Sequence, residues 1–215
     1  MDELQRRSET FEALGLPEKV LVALPRRRGE VATHVRSTLL LSSIQSLRQK
    51  ALWDRYGEAL EPAVRETLVN CVAGVWLPMT VGIAHYEACH AIGLSLQDEV
   101  AMGYQVGERI QGSLLGLLVR AAKGAGTTPW ALLSNVNRLW DRVFQGGAGA
   151  TVTEVGPKEA RVELVGLPLL QVPYFRHAYR GTFLAAVELF AGRAYVSEIG
   201  RRGETFSTTY RISWA

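Results

Sequence analysis

Hydrophobic positions recur every three or four residues along most of the chain up to about residue 144, and at alternate positions over much of the remainder. The first period is that of an amphipathic helix and the second that of a half-buried strand. Residues 1–16 are polar, and Pro17 suits the first turn of a short helix ending before Pro25. Gly29 to Arg36 (GEVATHVR) reads as a strand, and Ser37 to Gln49 as a helix with Leu40, Ile44 and Leu47 on one face. Leu52–Leu60 and Pro62–Val75 read as two further helices, Trp76-Leu77-Pro78 as a break, and Thr80–Ile92 as a helix stopped by Gly93.

Ser95-x-x-Asp98 has capping-box spacing and opens a helix that carries Val100, Tyr104, Gly107, Ile110, Leu114, Leu117 and Ala121 on its apolar side and ends near Gly124. Within it lie Gly103-x-x-x-Gly107 and Gly112-x-x-x-Gly116. A glycine costs ~1 kcal/mol against alanine in a helix interior, so these four point to a close approach by another backbone, a partner helix or a ligand. Thr128-Pro129 starts a helix running to about Phe144, and the glycine-rich 145–149 segment turns the chain.

The alternation then sets in. Ala150–Val155 and Ala160–Val165, joined by Gly156-Pro157-Lys158, read as a hairpin. Pro173 opens a helix to Ala191 with Phe175, Tyr179, Phe183, Ala186 and Phe190 on one face and Gly192 as its stop; strands follow at Arg193–Ile199 and Phe206–Trp214. The last third is thus β-β-α-β-β, and the strand at 29–36 is expected to complete a five-stranded sheet. Helices first and strands last define an α+β fold: an N-terminal helical layer packed on an antiparallel sheet. The expected organisation is an N-terminal extension over 1–28 and a single domain over 29–215.

Composition narrows this little. The 215 residues are 47% hydrophobic and 21% charged, with a net charge of +3, which fits a globular domain and excludes wholesale disorder. The basic runs are short, Arg26-Arg27-Arg28 and Arg201-Arg202, without the stripe of charge and aromatics that marks a nucleic-acid binder. Cys71 and Cys89 are too few for a disulfide framework, and no signal-peptide pattern stands at the start, so a cytoplasmic protein is expected. The uncharged stretch Thr67–Ala84 contains Asn70, Gly74, Pro78, Thr80 and Gly82, and is read as a buried helix pair broken at Pro78, not as a membrane span.

Several stretches resemble a myxobacterial paralogous family of uncharacterised proteins: GEVATHVRSTLL, WLPMTVGIAHYEACHAIG, NRLWDRVFQGG, EARVELVGLP, FRHAYRGTFLAAVELFAGRAYV and RRGETFSTTYRISW. The layout is also similar to a broader group of small-molecule-binding domains of the vinyl-reductase, TRAPP-like and haem-NO-associated types. That resemblance implies helices on one face of an antiparallel sheet, frequent dimers, and regulatory or scaffolding roles in place of catalysis. Related domains often carry cysteines around the last hairpin; Ile199 to Tyr210 has none.

Among reactive residue types, His85, Cys89 and His90 come closest to a cluster, His85 and Cys89 sharing a helix face. Cys71, His34 and His177 are the remaining candidates for a metal site, all distant in sequence, and His85 or His90 would be the axial ligand of a haem. No Gly-x-Ser-x-Gly, phosphate loop or paired-carboxylate arrangement is present. Arg176 and Arg180 share a helix face and form a candidate anion site. A ligand pocket is expected between the 95–123 helix and the 173–191 helix or the sheet, lined by Trp76, His85, Tyr104, Trp140 and His177. The sequence therefore predicts a non-enzymatic sensory or regulatory module for a small hydrophobic ligand or a protein partner, with no catalytic residues, metal or cofactor. The alternatives are a homodimeric scaffold without ligand, or a metal- or haem-binding protein using His85 and Cys89.

Overall fold

The computed structural model describes residues 18–25, 31–110, 128–200 and 206–215. Its elements run β1 (Lys19–Val22), β2 (Ala32–Arg36), α1 (Ser37–Gln49), α2 (Trp53–Glu58), α3 (Pro62–Val69), β3 (Trp76–Pro78), α4 (Met79–Ala91) and α5 (Leu96–Ile110). They continue with α6 (Pro129–Leu133), α7 (Val136–Val143), β4 (Phe144–Gly146), β5 (Gly149–Gly156), β6 (Glu159–Val165), α8 (Pro173–Glu188), β7 (Ala194–Gly200) and β8 (Ser207–Trp214). The α+β class holds.

The main sheet is antiparallel with strand order β1-β5-β6-β8-β7. Ala160, Val162 and Leu164 of β6 are wholly buried, as are Thr208, Tyr210 and Ile212 of β8. This is the period-2 pattern of a sheet with one face covered. The cover is α8. Its Tyr179 and Phe183 rings lie 6.4 and 5.5 Å from the Tyr210 ring, and the Tyr210 hydroxyl donates to the Arg176 carbonyl at 2.9 Å. On its other side α8 meets the helical layer, where Phe175 makes an edge-on contact with Tyr86 of α4.

Four expectations are corrected. The segment after Pro17 is a strand, not a helix: β1 pairs with β5, and Glu18 accepts two hydrogen bonds from Arg161 of β6. Lys-Val-Leu-Val is short and β-branched, and an open sheet edge is there to receive it. The strand at 29–36 does not join this sheet. As β2 it pairs with β3 and β4 in a separate three-stranded sheet. The helix expected over 62–75 stops at Val69, with Gly74 at φ +89°, and the Thr67–Ala84 stretch divides into the end of α3, a loop, β3 and the start of α4, not a helix pair. The end of α3 exposes Val69, and the loop exposes Val72 and Val75. The helix expected from Pro129 to Phe144 is two helices, parted where Asn135 turns its side-chain amide back onto the Ala131 carbonyl. Among the described residues no helix is long and apolar enough to cross a membrane.

Half of the capping box at Ser95 forms: the Ser95 hydroxyl accepts from the Asp98 backbone N–H, while the Asp98 carboxylate accepts from that hydroxyl and not from the Ser95 backbone N–H. Gly93 ends α4 at φ +71°. Leu114, Leu117, Ala121, Gly112-x-x-x-Gly116 and both basic runs lie outside the described residues.

Candidate functional site

The glycines of α5 bring it against α8. A β-carbon on Gly103 would sit 1.7 Å from the Ala178 carbonyl oxygen, one on Gly107 2.9 Å from the Ala185 β-carbon, and one on Gly181 2.0 Å from the Val100 carbonyl oxygen. The Gly103–Gly107 face is therefore spent inside the chain and is not a seam for a second copy. Thr182 clamps the crossing by donating to the Gly103 carbonyl at 3.1 Å.

Next to the crossing, the described helices leave a space unfilled. A cavity of about 100 Å³ results, walled by Leu39 of α1, Ile110 of α5, Leu132 and Leu133 of α6, Val136, Leu139, Trp140 and Val143 of α7, and Tyr179, Thr182, Phe183 and Ala186 of α8. Arg142, exposed to solvent, stands at its rim.

Of the five residues expected to line a pocket, Trp140 is on this wall. Trp76 is on β3, under the Arg36 guanidinium at 4.0 Å. The Tyr104 hydroxyl donates to Glu188 at 2.9 Å, and His177 Nδ1 meets the buried Glu99 carboxylate at 2.5 Å. His85 belongs to a separate buried cluster. The five do not converge. What the sequence reading passed over are the plain hydrophobics, Leu132, Leu133, Val136, Phe183 and Ala186, which carry no signal distinguishing a cavity wall from ordinary core.

His85 has no exposed surface; its Nδ1 lies 2.6 Å from the Tyr56 hydroxyl and its Nε2 3.8 Å from the Cys89 sulfur. Burial lowers its pKa from 6.5 to about 3, so the ring is neutral. A neutral ring accepting from Tyr56 at Nδ1 keeps its proton on Nε2, facing Cys89. Burial also pushes the Cys89 thiol and the Tyr56 phenol well up, so neither ionises near neutral pH. The helical spacing did bring His85 and Cys89 together, but both ring nitrogens are engaged and the thiol is no nucleophile. His90 is on the surface with Nδ1 3.8 Å from Glu99, His34 lies against Thr33, and Cys71 sits in the loop after α3. Among the described residues no three His, Cys, Asp or Glu side chains gather as a metal site would require.

Arg176 and Arg180 do project from neighbouring turns of α8. Arg176 donates to the Leu170 carbonyl at 2.9 Å and faces the Glu198 carboxylate at 3.0 Å, off the line of a hydrogen bond. Its charge is thus already met by an internal carboxylate. Arg180 is half-buried, and its Nε has no acceptor among the described residues.

No family model matches the chain, and no curated protein matches it. Solved structures do. An oxygen-binding H-NOX domain related to soluble guanylate cyclases superposes with a TM-score of 0.56 at 13% identity, covering 83% of this chain and 94% of that one. The Fe(II) unliganded H-NOX protein from K. algicida gives 0.59 at 12% identity, covering 84% and 96%. An H-NOX structure solved to probe the function of haem distortion in that family gives 0.58 at 14%, covering 83% and 94%. At such identities the likeness is one of fold, and it agrees with the haem-NO-associated layout, one of the three that the sequence resembles.

The described residues of the cavity do not fit a haem. The cavity is several times too small for a porphyrin, and none of the four histidines, two cysteines or three methionines of the chain is on its described wall. Tyr179 alone is of a ligating type, and burial pushes its phenol up to about 12, against the phenolate that iron would need.

Proposed function

We propose that the chain is a non-enzymatic sensory or regulatory module that binds a small molecule in the cavity between α1, α6, α7 and α8. The observation that carries this reading is the cavity itself: about 100 Å³ of apolar space at the junction of the helical layer and the sheet-covering helix. Interiors are otherwise close-packed, and an unfilled volume of this size destabilises its host unless something occupies it. The fold shared with an oxygen-binding H-NOX domain supports the same reading, as does the neutral, enclosed state of His85 and Cys89, which leaves no activated nucleophile or base in that cluster. Two unpaired thiols agree with a cytoplasmic setting. Native mass spectrometry of the purified chain, repeated after denaturation, tests the reading. Extra mass that is lost on denaturation is expected; a bare chain, combined with failure of every added ligand to bind, would overturn it.

A homodimeric scaffold is the second reading. It is favoured by the open outer edge of β7, where Tyr195 and Ile199 are exposed. It predicts a concentration-dependent mass that Tyr195→Lys combined with Ile199→Lys, which puts charge on that edge, would abolish.

A further inference from the structure

We infer that the ligand is an uncharged, apolar molecule about the size of one or two fused aromatic rings, held by burial alone, and that the haem of the structural neighbours has no counterpart in this chain. The inference rests on the cavity reading above and names the chemistry of its occupant.

Size sets the first limit. A dry, apolar engineered cavity of about 150 Å³ takes up benzene or xenon. The cavity here is of the same order. It admits a single ring as it stands, and a second ring if the half-buried Leu139 and Ala186 shift. Polarity sets the second limit. The Thr182 hydroxyl already donates to the Gly103 carbonyl and the Trp140 indole N–H to the Gly146 carbonyl at 3.1 Å, so two polar groups of the wall are committed to backbone. A carboxylate or phosphate drawn inside would lose its hydration, and among the described residues of the wall the one cation, Arg142, stands at the exposed rim. Aromatic side chains dominate one side. Tyr179 is stacked on Phe175 at 5.2 Å and stands edge-on to Phe183 at 5.1 Å, so the α8 wall is rigid and offers ring faces and edges to an aromatic guest.

The test is thermal unfolding of the full chain, followed by circular dichroism, with toluene, indole, benzoate and hemin as separate additives. Toluene and indole are expected to raise the midpoint by roughly 5–10 °C at a hundred times their Kd. Benzoate should leave it unmoved, and hemin should give no spectrum of a coordinated haem. Ala186→Phe, which fills the cavity from α8, should abolish the toluene response; if that variant does not fold, Leu139→Phe fills it from α7. A benzoate shift equal to that of toluene would overturn the apolar class. A coordinated-haem spectrum lost in Ala186→Phe would overturn the exclusion of haem while leaving a small-molecule module standing. No shift with any of the four would overturn this inference and the cavity reading together.

Discussion

The α-carbon of Gly103 lies so near the carbonyl of Ala178 that any β-carbon would overlap its oxygen. The neighbour is backbone, which cannot swing aside, so α5 and α8 can cross here only through glycine. Gly103→Ala should therefore cost about 3 kcal/mol or more, well above the gain of up to about 1 kcal/mol that helix propensity offers alanine. Gly181→Ala, facing the Val100 carbonyl, should behave alike. Gly192→Ala is the control: its nearest neighbour would be the Ala215 carbonyl oxygen at 3.9 Å, and stability should change by less than about 0.5 kcal/mol. Urea unfolding of the three variants checks this. Equal stability of Gly103→Ala and the parent would contradict the crossing.

His85 couples stability to pH. The unfolded chain takes up a proton near pH 6.5 that the folded chain refuses until about pH 3. Unfolding thus binds a proton throughout that window. The stability attached to the neutral ring is complete above pH 6.5 and is lost as pH falls toward 3, at roughly 1.4 kcal/mol per unit. His85→Gln, whose amide can still accept from Tyr56, should show a shallower loss by one proton's worth. Parallel stability–pH curves for the two proteins, measured by denaturant titration, would refute this.

Glu99 is 4% exposed and is held by His177 of α8, with His90 of α4 at the edge of reach. Removing His177 leaves a carboxylate enclosed without its main partner. His177→Ala should cost roughly 2–4 kcal/mol, below the full penalty of a buried broken pair because His177 is itself partly exposed. His177→Ala combined with Glu99→Leu should recover much of that loss, since the stranded charge is gone. Additive losses in the double variant would show that the two residues do not act as a pair.

The sequence made the larger elements legible because each carries enough positions to display its period: α1, α5 and α8 at 3.6 residues, β5, β6 and β8 at 2. It concealed β1, β3 and β4, which have three or four residues each. A run that short cannot show alternation, and the β3-β2-β4 sheet exists only because residues 76–78, 34–36 and 144–146 meet across long separations. The Gly103–Gly107 spacing announced a close approach but not its partner, which the structure identifies as α8. At the site, helical spacing placed His85 beside Cys89, and the pair proved to be an enclosed structural cluster. The cavity was invisible because it is made by what Leu133, Val136 and Phe183 fail to fill, and a hydrophobic residue reads alike whether it faces a neighbour or a void.

A crystal of the full chain under xenon pressure would show whether the cavity between α6, α7 and α8 is open. Xenon marks apolar space that water leaves empty. A xenon atom is expected between Leu133, Val136 and Phe183, and is expected to be absent from crystals of Ala186→Phe. Side chains closed over that space, with no xenon in the parent protein, would contradict it.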